Sequence, residues 1–143
     1  MPEVSRSAEL PAPPERAWEI FSDISRYGEW NETHDGFPDG PPELATGTTF
    51  REKVTIMGMP GEATWKITDI EPAKRLVMDG DGPMGIKLAM RLELAPENDG
   101  TRVTMVSSFD GPPLEGPMGD AVAKAAGDAA DASLEKARGL LAQ

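Results

Sequence analysis

The chain has 143 residues, enough for one domain with a single hydrophobic core, and its 38% hydrophobic and 27% charged residues are typical of a water-soluble globular protein. Its formal net charge of -11 repels phosphate backbones and anionic membrane surfaces, which disfavours nucleic-acid binding. No apolar run is long enough to span a membrane, the first residues lack the pattern of a signal peptide, and there is no cysteine, so we expect a cytoplasmic protein without disulfides.

The first predicted elements are a strand and two short helices. Residues 4–10 alternate weakly between apolar and polar side chains and predict the strand. Pro13 and Pro14 suit the first turn of a helix. Apolar residues then recur at helical spacing, at Ala17, Trp18, Phe21 and Ile24. A polar pair after Phe21 separates a second short helix, which we expect to end near Trp30.

A loop and then a run of strands follow. Residues 31–47 are rich in turn formers and predict a loop with a short strand near Phe37. Over residues 48–110 the hydrophobicity alternates with a period of two, which predicts successive antiparallel strands with one buried face. The clearest segment places five apolar residues on one face: Ile86, Leu88, Met90, Leu92 and Leu94. The glycine-rich residues 80–85 predict a hairpin turn, because the Lys-Ser or Lys-Thr pair of a phosphate loop does not follow them.

The last predicted element is a helix over residues 117–141. Its charged side carries Asp120, Lys124, Asp128, Asp131, Glu135 and Arg138. Its inward side is predicted to carry Met118, Val122, Ala125, Ala129, Ala132 and Leu140. Between residues 123 and 133 no apolar side chain is larger than alanine, so either another element packs very closely or a space lies beneath the helix. The order of elements predicts a single α+β domain over residues 1–143, with the long helix packed across a curved antiparallel sheet of six or seven strands.

This order of elements, together with three segments, resembles the START-like or SRPBCC superfamily, whose architecture is the helix-grip fold. The segments are PPERAWEIFSDISRYGEW at residues 13–30, GMPGEATWKI at residues 58–67 and FDGPPLEGPMG at residues 109–119. They are similar to the polyketide cyclase/dehydrase-like family, and more narrowly to a branch known as toxins of type II toxin–antitoxin pairs. The resemblance implies an apolar ligand cavity between the sheet and the last helix, which favours a space beneath the alanines.

The walls of such a cavity would come from the inward faces of the strands and of the last helix. The residues that we expect to contact a small hydrophobic ligand are Trp30, Phe50, Glu52, Trp65, Ile67, Met78, Leu88, Met90, Leu92, Met105, Ser107, Met118, Val122, Ala125 and Ala129. The methionines in this set would let the cavity adapt to ligands of varied shape, although methionine is equally a core filler.

Three titratable residues are candidates for chemistry in this cavity. Parity places Glu52 on the same face as Phe50, although a position at the open rim, where its carboxylate reaches water, is the favoured interpretation. His34 is the single histidine, and its polar, turn-forming neighbours favour a solvated and dispensable loop residue. Asp69 shares its parity with Trp65, but a position at a strand end is favoured.

The family resemblance and the residues point in different directions about catalysis. Related cyclases use cavity arginines and hydroxyls, yet parity directs Arg51, Lys53 and Arg91 outward, and the single tyrosine, Tyr27, lies in the first helices. One histidine and no cysteine disfavour a zinc site, and we expect no cofactor. The sequence therefore predicts a non-catalytic protein that binds a small hydrophobic molecule. Two alternatives stay open, namely a cyclase/dehydrase-like enzyme acting on an aromatic or polyketide substrate and a toxin with an antitoxin protein as its partner.

Overall fold

An antiparallel sheet and one long helix form the protein. The computed structural model describes residues 3–56, 58–82 and 85–142, and within them the strands are β1 (Glu3–Leu10), β2 (His34–Gly36), β3 (Thr49–Ile56), β4 (Met59–Glu71), β5 (Arg75–Asp81), β6 (Lys87–Glu97) and β7 (Gly100–Asp110). The helices are α1 (Pro14–Phe21) and α2 (Pro117–Leu141), with 3-10 helices at Ile24–Glu29 and Pro112–Leu114. This arrangement confirms the predicted helix-grip fold.

Within the part of the chain that the structure describes, the sheet has seven strands. Strands β2 to β7 form a meander, and β1 extends it by pairing with β7. Their order across the sheet is β1-β7-β6-β5-β4-β3-β2, so every neighbouring pair except β1 and β7 is consecutive in the chain. The turn between β6 and β7 holds Asn98 and Asp99 at positive φ angles of 49° and 66°, a conformation that Asn and Asp tolerate. Glu97 pairs with Gly100 across this two-residue turn, which fixes the register of the hairpin.

The short helices after β1 begin where the prolines predict. Pro13 precedes α1 as its N-terminal cap and Pro14 occupies its first turn, where proline leaves no backbone hydrogen bond unmade. The apolar side of α1 and the following 3-10 helix enters the main hydrophobic core through Ala17, Ile20, Phe21, Ile24 and Tyr27.

The inward side of α2 runs about one residue later than the sequence predicts. Its buried residues are Gly119, Gly127, Ala130, Ser133, Leu134, Ala137 and Leu141. The rotation follows from Leu134 and Leu141, which dock in the main core and bury far more apolar area than any alanine. The inward prediction for Met118 is therefore wrong, since this residue is 47% exposed.

A bulge in β4 moves Asp69 to the outer face of the sheet. The pairing of β4 with β5 shifts its register between Ile67 and Asp69, and an extra residue at a bulge reverses the alternation of side chains beyond it. Asp69 lies near the end of β4, as expected, but its half-exposed side chain pairs with Arg75 while Ile70 packs against the core. The inward parity of Asp69 with Trp65 is therefore wrong.

Candidate functional site

A cavity of about 120 Å³ lies between the inner face of the sheet and the middle of α2. The strands contribute Met78, Leu88, Met90 and Met105 to its walls, and α2 contributes Ala126, Ala129, Ala130 and Ser133. Because these four residues of α2 have short side chains, the helix leaves a space over the sheet instead of filling it. The alanine-rich segment therefore covers a space, as the family resemblance implies.

Most of the residues expected to contact a ligand line this cavity, namely Trp30, Glu52, Trp65, Met78, Leu88, Met90, Met105, Ser107 and Ala129. The others lie elsewhere. Phe50, Ile67 and Leu92 are buried in the main core, and Val122 packs against a smaller cluster around Phe109. Ala126 and Ala130 take the place predicted for Ala125, because α2 is rotated by about one residue.

The indole ring of Trp65 lies over the backbone of Gly80. The two residues pair across β4 and β5, and a Cβ atom on Gly80 would stand 2.6 Å from Trp65 Cε3, which is closer than real contacts allow. Any side chain at this position would therefore displace the ring. Gly80 lies within β5 and not in the hairpin turn predicted over residues 80–85, of which residues 83 and 84 are outside the described ranges.

Glu52 forms a buried polar point in the cavity wall. Its side chain comes from β3, and the residue is only 4% exposed. His34 Nδ1 lies 2.6 Å from Glu52 Oε2, and Trp65 Nε1 donates a hydrogen bond of 2.9 Å to Glu52 Oε1. Because an ionised carboxylate only accepts hydrogen bonds, His34 Nδ1 carries the shared hydrogen when Glu52 is charged.

Two sequence interpretations are corrected by this geometry. Glu52 does not reach water at the rim but follows its inward parity. His34 is not a solvated loop residue, since it begins β2 and its side chain is 8% exposed. The pairing of β2 with β3 sets His34 opposite Val54 and so brings the imidazole to Glu52. β2 is the short strand predicted near Phe37, and it includes His34, which the sequence analysis left in the loop.

Aromatic rings surround the His34–Glu52 pair. The Tyr27 ring meets the imidazole of His34 edge-on with 5.4 Å between ring centroids, and the Phe37 ring centroid lies 4.5 Å from that of His34. Tyr27 also meets Trp30 edge-on at 5.0 Å, an arrangement that aromatic pairs prefer. The sequence analysis missed Tyr27 as a cavity residue, although its spacing of three residues from Trp30 was an available signal.

Burial raises the pKa of the Tyr27 phenol far above its ordinary value. The negative charge of Glu52 raises this pKa further, and a side-chain hydrogen bond with Asn31 lowers it in part. Tyr27 and Asn31 both line the cavity. At neutral pH Tyr27 therefore presents a neutral ring and hydroxyl to the site.

The titration of Tyr27 gives a direct test of this burial. Tyr27 is the only tyrosine, so near-ultraviolet absorbance of tyrosinate reports this residue alone. We expect no tyrosinate signal from the folded protein as the pH passes about 10, the ordinary pKa, whereas the urea-unfolded chain should titrate there. Because the pKa is higher in the folded state, the stability that Tyr27 contributes is complete below about pH 10 and then falls by about 1.4 kcal/mol per pH unit until the folded-state pKa is reached.

The matched control for this titration is Tyr27→Phe. Its free energy of unfolding, measured with urea, should decrease less steeply above about pH 10 than that of the unaltered protein, because the phenylalanine ring does not ionise. A folded protein whose tyrosinate signal appears near pH 10 would show that the phenol is in contact with water.

Ser133 ties α2 to the segment that follows the first 3-10 helix. Its Oγ donates to the backbone carbonyl of Ala129 and accepts a hydrogen bond from the backbone N–H of Glu32, both at 2.8 Å. The side chains of Lys136 and Glu32 form an ion pair of 2.5 Å beside it. These contacts hold α2 over the cavity at the end where Trp30 and Asn31 lie.

The site combines apolar walls with a few polar groups. The His34–Glu52 pair can hold a proton or accept a hydrogen bond, whereas Asp69, the third candidate for chemistry, is on the other face of the sheet. Across the described residues, no group of three or more His, Cys, Asp or Glu side chains could hold a metal ion. Within the same ranges, no helix has the length and apolarity needed to cross a membrane.

A curved antiparallel sheet that grips a long helix around an internal cavity defines the START-like class of proteins. A START superfamily protein from Mycobacterium smegmatis superposes with a TM-score of 0.75 at 23% identity, covering 99% of this chain and 97% of that chain. Protein CV1439 from Chromobacterium violaceum gives a TM-score of 0.74 at 16% identity, covering 100% of this chain and 99% of that chain. At these identities the likeness shows the fold.

Sequence comparison shows the particular family. The family described as polyketide cyclase / dehydrase and lipid transport matches residues 1–142, and the chain belongs to it. The protein named Toxin Rv0910, from Mycobacterium tuberculosis strain H37Rv, is 36% identical over 126 residues, which cover 87% of this chain and 88% of that protein. These matches confirm the resemblance that the sequence segments indicated.

Proposed function

We propose that this protein binds a small, largely apolar molecule in the cavity beneath α2, and that binding rather than a reaction is its role. The observation that carries the proposal is the cavity itself, with its methionine-rich sheet wall and its alanine roof. Methionine side chains adapt to ligands of varied shape. The inclusion of lipid transport in the family description is consistent with such a role.

The size of the cavity limits the ligand. A volume of about 120 Å³ is similar to that of an engineered apolar cavity of about 150 Å³ that accepts benzene. One aromatic ring or a short branched chain therefore fits within it. A longer ligand must either extend past the open side of the cavity or move α2 away from the sheet.

Native mass spectrometry of freshly purified protein, before and after extraction with organic solvent, tests the proposal. We expect additional mass on the purified protein that extraction removes, and we expect Ala129→Leu, which places a larger side chain in the cavity, to reduce its retention. Lys124→Leu is the matched control, because this exposed residue of α2 is outside the cavity. Additional mass that Ala129→Leu retains in full would contradict binding beneath α2.

A second candidate function is growth inhibition that a partner protein relieves. The observation that favours it is the name of the relative from M. tuberculosis, Toxin Rv0910. Induced expression in a bacterial host should then arrest growth, and co-expression of an antitoxin candidate taken from a neighbouring gene should restore it. Growth that continues unchanged on induction, at protein levels verified by immunoblot, would contradict this candidate.

A further inference from the structure

The carboxylate of Glu52 has hydrogen-bonding capacity that the protein leaves unused. Each of its oxygens accepts one hydrogen bond, from His34 Nδ1 and from Trp65 Nε1. A carboxylate offers about four acceptor positions, so about two remain. Glu52 is buried and lines the cavity, so a donor for these positions has to come from within the cavity.

Trp30 supplies the complementary feature. The residue is 1% exposed and lines the same cavity, and its indole N–H has no acceptor among the residues that the structure describes. Leaving a buried donor unpaired costs about 1–3 kcal/mol. A ligand group that accepts a hydrogen bond from Trp30 Nε1 removes this cost, and its binding free energy is therefore more favourable than if the donor were already paired. Among the polar groups of the cavity wall, Glu52 thus has acceptor positions left over and Trp30 has an unused donor.

The charges and hydrogen-bonding groups of the cavity wall together select against ionised ligands. Among the described lining residues Glu52 is the charged group, and none is a lysine or an arginine. Nearby arginines of the sheet face outward, as predicted, where Arg51 pairs with Asp39 and Arg91 pairs with Glu93. A ligand carboxylate would therefore meet the negative charge of Glu52 with no lysine or arginine in the wall to balance it. A ligand ammonium could donate to Glu52, but it has no lone pair to accept from Trp30 Nε1, which would stay unpaired.

We propose that the ligand is an uncharged small molecule with a hydroxyl group on an apolar ring, and that this hydroxyl donates to Glu52 and accepts from Trp30. A hydroxyl suits both partners because it donates one hydrogen and accepts another. The remaining ring surface fits the methionine and alanine walls. This inference rests on the proposed binding function and specifies the chemical class of the ligand.

Phenol and toluene are the probes for this inference, since they have nearly the same shape and differ in the hydroxyl. Dissociation constants are measured for both by NMR titration, and the readout is the ratio of the phenol constant to the toluene constant. We expect Glu52→Gln to raise this ratio about tenfold, as for the loss of a hydrogen bond to a charged group. Trp30→Phe, which removes the N–H and keeps a ring, should also raise it severalfold. Benzoate should bind much more weakly than phenol.

Ser5→Ala is the control, because Ser5 is an exposed residue of β1 outside the cavity; its ratio should stay unchanged. If Glu52→Gln does not fold, Trp30→Phe carries the test. Binding of both probes with a ratio that neither variant changes would overturn this inference and leave the binding function standing. Tight binding of benzoate would overturn it as well. A folded protein that binds neither phenol nor toluene would overturn the binding function itself.

Discussion

Replacing His34 with alanine is expected to lower the free energy of unfolding by about 1.5–3 kcal/mol, the cost of removing a buried hydrogen bond to a carboxylate. The side chains of His34 and Glu52 are 8% and 5% exposed, so the hydrogen bond that is lost lies in the protein interior. Glu52 would keep a single hydrogen bond within the protein, the one from Trp65. This is the reverse of the dispensable role that the sequence around His34 suggests.

Urea unfolding at neutral pH measures the effect, and two comparisons make it specific. Lys124→Ala changes an exposed side chain of α2 and should alter the stability by less than about 0.5 kcal/mol. The double variant His34→Phe with Glu52→Leu replaces the pair by apolar groups of similar volume and should lose less stability than His34→Ala, because no charge is left buried. A loss below about 1 kcal/mol for His34→Ala would place the pair in contact with water.

The second large effect is a contrast between two alanines of α2. Ala137 is fully buried in the main core, and Ala137→Leu should cost about 1–3 kcal/mol because the added volume must displace packed neighbours. Ala129 lines the cavity, where the same added side chain finds space. Ala129→Leu should therefore leave the stability unchanged or raise it by at most about 0.8 kcal/mol per added methylene.

Thermal unfolding and toluene binding, measured for both variants, show whether a cavity or closely packed side chains lie beneath α2 at each of the two alanines. We expect Ala137→Leu to melt at a lower temperature and to keep its affinity for toluene at temperatures where it is folded. Ala129→Leu should show the opposite pair of results, an unchanged melting temperature and weaker toluene binding. Equal destabilisation by both substitutions would mean that the alanines of α2 serve close packing throughout.

The fold could be predicted from the sequence because its signals are local and repeated. The alternation of residues 86–94 fixes which face of β6 is buried, and the helix predicted over residues 117–141 coincides with α2. Parity alone also placed Glu52 on the inner face. The short side chains between residues 123 and 133 left close packing and a space beneath the helix open, and the family resemblance favoured the space. Each of these signals depends on a period or a composition that many neighbouring residues share.

The composition of the site was decided only by the tertiary structure. One extra residue in the pairing of β4 reversed the parity of Asp69, and alternation cannot reveal where such a bulge falls. The docking of Leu134 and Leu141 rotated α2 and exchanged Ala125 for Ala126 and Ala130 in the roof.

The contact between His34 and Glu52 depends on the path of a turn-rich loop that returns as β2, and the Trp65–Gly80 contact depends on the register of two strands. The sequence by itself determined the architecture, and the family resemblance that it carries implied a cavity. The partners of its polar groups were set by contacts between residues far apart in the chain, which no local period encodes.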